Sequence, residues 1–87
     1  RVQPNPFHHS AQIEVEAPVF SMASVRISTL DGKHIHTLPE QKMFSKHHSI
    51  SWPATGFNQQ SLPPGVYLLQ LIINQQVVDT VKVVKAE

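Results

Sequence analysis

The chain has 87 residues, enough for one modest core but too few for two, so residues 1–87 are expected to form a single domain. Seven Lys and Arg stand against six Asp and Glu with no cysteine, which argues against nucleic acid as a partner and excludes disulfide frameworks, thiolate metal sites and cysteine nucleophiles. The longest nearly apolar run, residues 66–73, is interrupted by Gln70 and is far below the ~20 residues that cross a bilayer as a helix, so membrane insertion is not expected; no apolar stretch of a signal peptide follows Arg1 either, so the expectation is either a mature fragment or an export signal elsewhere in a longer precursor.

Period-two alternation recurs in short segments separated by Pro, Gly, Asn and Asp, whereas helical periodicity is hard to find. Pro4-Asn5-Pro6 offers no proline N–H and favours a corner leading into Phe7. Residues 12–16 set Ile13 and Val15 against Glu14 and Glu16, a strand with one wet face. After Pro18, residues 23–30 place Val25 and Ile27 on one face and Arg26 and Ser28 on the other. Asp31-Gly32 follows, and its tolerance of positive φ predicts a type I′ turn joining residues 23–30 to 33–38.

Residues 46–52 form the next predicted strand, with His48, Ile50 and Trp52 on one side and Trp52 as its core anchor. Residues 53–65 hold three of the seven prolines and two of the three glycines, so they read as a connection. Residues 66–73 are the strongest strand, with Tyr67, Leu69, Leu71 and Ile73 on one face and Val66, Leu68 and Ile72 on the other, both expected to be buried. Gly65 lets the chain turn into it after Pro63-Pro64. Residues 74–76 turn, and residues 77–85 run back with Val81 and Val83 opposite Thr80, Lys82 and Val84. The predicted fold is all-β: a small immunoglobulin-like β-sandwich of about six to seven antiparallel strands.

Six histidines invite a search for metal or base chemistry. His47 and His48, adjacent in a strand, point to opposite faces. His34 and His36 can share a face, with Ile35 inward, but as the polar side of a hairpin they lack the further ligands of a metal site. His8-His9 is assigned to a solvated loop. No G-x-S-x-G elbow, triad or phosphate-cradling glycine loop is present. Glu14 and Glu16 solvate one strand rather than act as a glycosidase pair. Trp52 and Tyr67 belong to the core, which leaves Phe44 and Phe57 in loops, too little for a lectin-like platform. The expectation is a protein that is not an enzyme and holds no cofactor or metal.

Read in order, the chain carries Pro4-Asn5-Pro6-Phe7, then Val25-Arg26-Ile27-Ser28-Thr29-Leu30-Asp31-Gly32-Lys33, then Ile50-Ser51-Trp52. It continues with Leu62-Pro63-Pro64-Gly65-Val66-Tyr67-Leu68-Leu69-Gln70-Leu71 and ends with Val81-Lys82-Val83-Val84-Lys85. This order and spacing resembles the type A C-terminal sorting domain of the type IX secretion system of Bacteroidota, over essentially the whole chain. Asn74-Gln75 departs from the Asn-Gly often found at that turn.

The resemblance implies a secretion signal. A cargo N-terminal to the domain would cross the periplasm, pass the outer-membrane translocon and reach the cell surface or the medium. A surface sortase would then remove the domain, near or before Arg1, and join the cargo to anionic lipopolysaccharide. The implied partners are the translocon, the sortase and the cargo. The residues expected to be read by the translocon are Gly65, Tyr67, Val81, Lys82, Val83, Val84 and Lys85, with Pro4, Asn5 and Pro6 as the N-terminal family motif. A long last strand at a sheet edge suits recognition by β-augmentation, and the same edge allows an edge-strand dimer. The rival reading is an immunoglobulin-like accessory or adhesion module of a multidomain surface protein. Position in the parent gene separates the two, because a sorting domain must end the reading frame.

Overall fold

The computed structural model describes residues 2–3, 7, 9–56 and 60–86. Among them are eight strands and no helix: β1 (Val2–Gln3), β2 (Ala11–Glu16), β3 (Met22–Thr29), β4 (His34–Thr37), β5 (Gln41–Lys42), β6 (His47–Trp52), β7 (Gly65–Ile73) and β8 (Gln76–Lys85). The two-residue strands β1 and β5 are too short to show alternation, and they add to the six segments that the sequence displays. One sheet has the order β1-β2-β6. The other runs β4-β3-β7-β8, with β5 also against β3. Every strand pair is antiparallel.

The sheets close over one core because each contributes an apolar face of period two. Ile13 and Val15 of β2, with Ile50 and Trp52 of β6, pack in the same cluster as Val25, Ile27, Tyr67, Leu69 and Val83 of the second sheet. Trp52 is fully buried, as expected, and its indole N–H donates to the Thr55 carbonyl at 3.2 Å. Phe7 is equally buried, its ring centroid 5.4 Å from that of Trp52 with the planes tilted by 55°. The described parts of the connection pair with each other, for Leu62 N donates to the Ala54 carbonyl at 3.0 Å and Thr55 bridges Ser61.

Three local expectations are corrected. The β3–β4 loop is not a type I′ turn: that turn needs positive φ at both central residues, and here only Gly32, at +94°, has it. Gly32 N donates to the Thr29 carbonyl at 3.0 Å and Thr29 N to the Lys33 carbonyl at 2.8 Å, the bonding of a three-residue loop whose glycine forms a bulge. The Thr29 hydroxyl donates to the Asp31 carboxylate, which holds that carboxyl below its usual range. Second, β4 is irregular, so His34 lies opposite Ser28 and His36 opposite Ile27 with Ile35 as the extra residue. Opposed residues share a face, so the bulge turns His34 and His36 to opposite sides. Third, β7 is not buried on both faces. Tyr67 and Leu69 are buried, but Leu71, Ile73 and the outward Val66, Leu68 and Ile72 are half-buried. No second layer covers the outer face among the described residues, and the inner face opens toward Ile73.

Candidate functional site

The longest hairpin, β7–β8, carries most of the residues singled out in the sequence. Its turn is Asn74-Gln75, with φ of +49° and +70°, and Ile73 pairs directly with Gln76. Positive φ at both positions makes this a two-residue type I′ turn despite the missing glycine. Asn74 is further held from outside the hairpin: its N–H donates to the Met22 carbonyl at 2.8 Å, and its Oδ1 accepts from Met22 N at 2.9 Å. Gln75 has no such compensation and carries the left-handed cost of a residue with a Cβ, about 1 kcal/mol. Gln75→Gly is expected to raise Tm in a thermal melt by roughly 4–8 °C if that cost is relieved in full.

At the other end of β7, Gly65 has φ of +157°, and a Cβ placed there would meet no atom within 4 Å. Backbone preference rather than crowding therefore favours glycine. Tyr67 is buried, and its hydroxyl donates to the Pro63 carbonyl at 2.5 Å. A tyrosine early in a strand reaching back a few residues is the corner device of immunoglobulin-like sandwiches. The sequence reading placed Tyr67 in the core but missed this bond. A tyrosine four residues after Pro63, with Pro64 and Gly65 between, was its only trace. Burial pushes the phenol up from its ordinary value. A phenol whose pKa is raised by folding stabilises the protein below the unfolded pKa, and that contribution fades as pH rises through the folded value. Tyr67→Phe is expected to cost about 1 kcal/mol at neutral pH and to flatten the alkaline loss of stability, as read by urea titrations on both sides of about pH 10.

The C-terminal strand divides by face. Val83 is fully buried and Val81 half-buried, whereas Lys82 and Val84 point outward and Lys85 is half-buried opposite Gly65. A register shift at Leu71/Ile72 leaves Val78 as an extra residue, so Val77 and Val78 are both exposed beside the turn.

β8 is the edge of its sheet, but not along its whole length. Phe7 N donates to the Val84 carbonyl at 2.9 Å, and Ala86 N donates to the Phe7 carbonyl at 2.7 Å, a parallel bridge on the outer side of β8. β1 thus lies at the edge of one sheet and Phe7 at the edge of the other. By backbone alternation, Lys82 and Thr80 present their groups to the same outer side as Val84. On that side the Thr80 N–H is already taken by its neighbour, donating to Asp79 Oδ1 at 2.9 Å. Among the described residues, the stretch Thr80–Lys82 is consequently the open part of the edge. Pro4, Asn5, Pro6, His8 and Phe57 lie outside the described residues.

The remaining polar residues stay apart. His48 Nε2 lies 2.8 Å from Gln41 Oε1, and His34 Nε2 lies 2.9 Å from Thr37 Oγ1. Among the described residues no group of three His, Asp or Glu could hold a metal ion. Glu14 and Glu16 sit on the outer face of β2, where Ser49 Oγ donates to Glu14 at 3.4 Å and Lys46 approaches Glu16 at 3.9 Å. No described helix is long and apolar enough to cross a membrane. The site this geometry presents is one of backbone: a strand edge pinned at its end and, among the described residues, open in its middle.

A family model, the secretion system C-terminal sorting domain, matches residues 1–86. No curated protein sequence matches the chain. Among solved structures, PorZ of Porphyromonas gingivalis, an essential bacterial surface component of the type IX secretion system, superposes with a TM-score of 0.67 at 16% identity. That likeness covers 100% of this chain and 11% of the PorZ chain, and it gives the same all-β sandwich fold.

Proposed function

The chain belongs to the secretion system C-terminal sorting domain family, a type IX signal that takes a cargo lying N-terminal to it across the outer membrane, and we propose that its open β8 edge is what the translocon reads. In this reading, residues 1–87 act as one sorting unit that transits the periplasm with its cargo. A surface sortase then removes the unit near or before Arg1 and leaves the cargo on lipopolysaccharide.

The observation that carries the reading is the state of the β8 edge. Phe7 occupies the outer side of Val84 to Ala86, so the register of the strand end is fixed without receptor. Upstream, Lys82 and the Thr80 carbonyl face outward in a strand already held straight by β7. An added receptor strand would bond to this backbone and sort outward side chains, Lys82 and Val84, by charge and shape. Gly65, Tyr67, Val81 and Val83 serve the same recognition indirectly, by holding the strand. The same edge in a second copy gives the edge-strand dimer, which competes with receptor for one surface.

The test is a fusion of this chain to a periplasmic reporter. Removal of residues 81–87 is expected to leave the reporter in the periplasm, and normal surface delivery of the truncated fusion would refute the assignment. The truncation also deletes the buried Val83, so the fold must be followed in parallel by circular dichroism.

A further inference from the structure

One pole of the sandwich carries apolar surface that neither the core nor the β8 edge uses. Residues 17–21 and 43–46 meet there, and Val19, Phe20 and Phe44 are 47%, 65% and 77% exposed. The Phe20 and Phe44 rings form an edge-to-face pair with centroids 6.4 Å apart, and Lys42 Nζ lies 5.4 Å from the Phe20 centroid. This is a built feature rather than two stray side chains. Phe20 N donates to the Met43 carbonyl at 2.6 Å, Met43 N to the Ser21 carbonyl at 2.8 Å, and Ala17 N to the Lys46 carbonyl at 3.0 Å. Met43 is buried beneath them. Phe20 is held at φ of +70°, a strained conformation that is a genuine outlier for a bulky residue. Local strain spent on keeping a phenylalanine in water points to a surface that is covered in use.

Strand direction says what covers it. β2 runs toward this pole and β1 is antiparallel to it, with Val2 opposite Ile13. The backward direction of β1 from Val2 therefore points toward Glu16, about 10 Å along the strand at ~3.4 Å per residue, and beyond Glu16 to the segment that carries Phe20. The β7–β8 turn reaches the same pole, since Asn74 bonds to Met22, whereas Ala86 lies at the opposite end beside Phe7. In a C-terminal sorting domain, cargo precedes the chain, so the patch sits where that cargo arrives. Lys46 lies 3.9 Å from Glu16 and Lys42 over the Phe20 ring, well short of the cluster of about four or more cations by which an anionic lipid surface is recognised. A shallow apolar hollow of Ala17, Pro18 and Val19 beside the projecting rings suits the relief of a protein face.

From this juxtaposition we infer that Val19, Phe20 and Phe44 are the seat of the folded domain immediately upstream in the parent chain, which meets the rings with apolar side chains and Lys42 with a carboxylate. The inference rests on family membership alone and not on how the β8 edge is read. Cargo and signal then travel as one oriented body, with the junction between them held against the pole opposite the C-terminus.

The experiment compares the parent protein with the isolated chain, both labelled with fluorophenylalanine, in 19F NMR with a soluble paramagnetic agent. Buried Phe7 serves as the protected reference, and signals are assigned by single substitution. Phe20 and Phe44 are expected to be strongly relaxed in the isolated chain and protected severalfold in the parent. In the parent, Phe20→Ser with Phe44→Ser is expected to let the domain tumble independently while its own Tm is kept. Equal accessibility in both proteins would overturn the inference. So would protection of the isolated chain that grows with its concentration, which would identify a second copy, or protection that needs added anionic vesicles, which would identify lipid. Surface delivery measured on the same double variant keeps the two readings apart, since a failure of the seat leaves the β8 assignment standing.

Discussion

Phe7→Ala is expected to destabilise the domain by about 3–5 kcal/mol, the ordinary cost of deleting a buried aromatic ring. Small domains hold only ~5–15 kcal/mol in total, so one residue near the N-terminus would decide whether most molecules stay folded at 37 °C. Two terms add. The emptied volume lies against Trp52, whose centroid is 5.4 Å away, and the lost tilted ring contact contributes about 0.5–1.5 kcal/mol beyond area. The two backbone bonds of Phe7, to Val84 and from Ala86, need no side chain, but without the ring nothing anchors them in place. The amide of Ala86 is therefore expected to lose hydrogen-exchange protection ahead of Leu69 or Ile27, which global unfolding alone exposes. Urea titration with exchange readout checks both statements. A loss under about 1 kcal/mol, the range of surface substitutions, would mean that the ring is not the anchor described.

Phe7 also marks the boundary between what was legible in the sequence and what was not. The buried side of β2 and of β6 could be read from alternation, because each strand is half-wet and its apolar positions recur every second residue, whereas β7, apolar on both faces, reads as buried on both and is only half-buried on one. Trp52 as anchor followed from its place in that series. Alternation fails wherever one residue is inserted. Ile35 and Val78 are such insertions: Ile35 puts His34 and His36 on opposite faces, and Val78 leaves Val77 out of step with the strand beyond it. Asp31-Gly32 was recognised as a turn, but the number of loop residues depends on bonds from Thr29 that composition does not encode. The candidate site was half legible. Val81, Val83 and the outward Lys82 and Val84 took the predicted faces, yet the pairing of Phe7 with a strand almost eighty positions later is a long-range contact with no local signature. Phe20 was passed over because apolar residues outside an alternating segment look incidental until their exposure is known.

The second large effect concerns export rather than stability. Lys82→Pro is expected to reduce surface delivery of a reporter fusion roughly tenfold, the consequence of about 1.4 kcal/mol lost from one recognition step. The effect turns on where the Lys82 N–H points. It faces away from β7, on the side where Val84 accepts from Phe7 N, so its removal breaks no bond within the sheet. Proline is tolerated in strands in this setting, on an edge with the missing donor toward solvent, and the cost to folding should stay near 1–2 kcal/mol. An incoming strand, by contrast, loses a donor and meets the pyrrolidine ring. Lys82→Ala serves as the control, since it keeps the N–H and removes only the charge. If the receptor adds a strand, proline blocks delivery and alanine permits most of it. If the receptor reads the ammonium group, alanine is as damaging as proline. Normal delivery of the proline variant, with its fold intact by circular dichroism, would show that recognition does not use this part of the β8 edge.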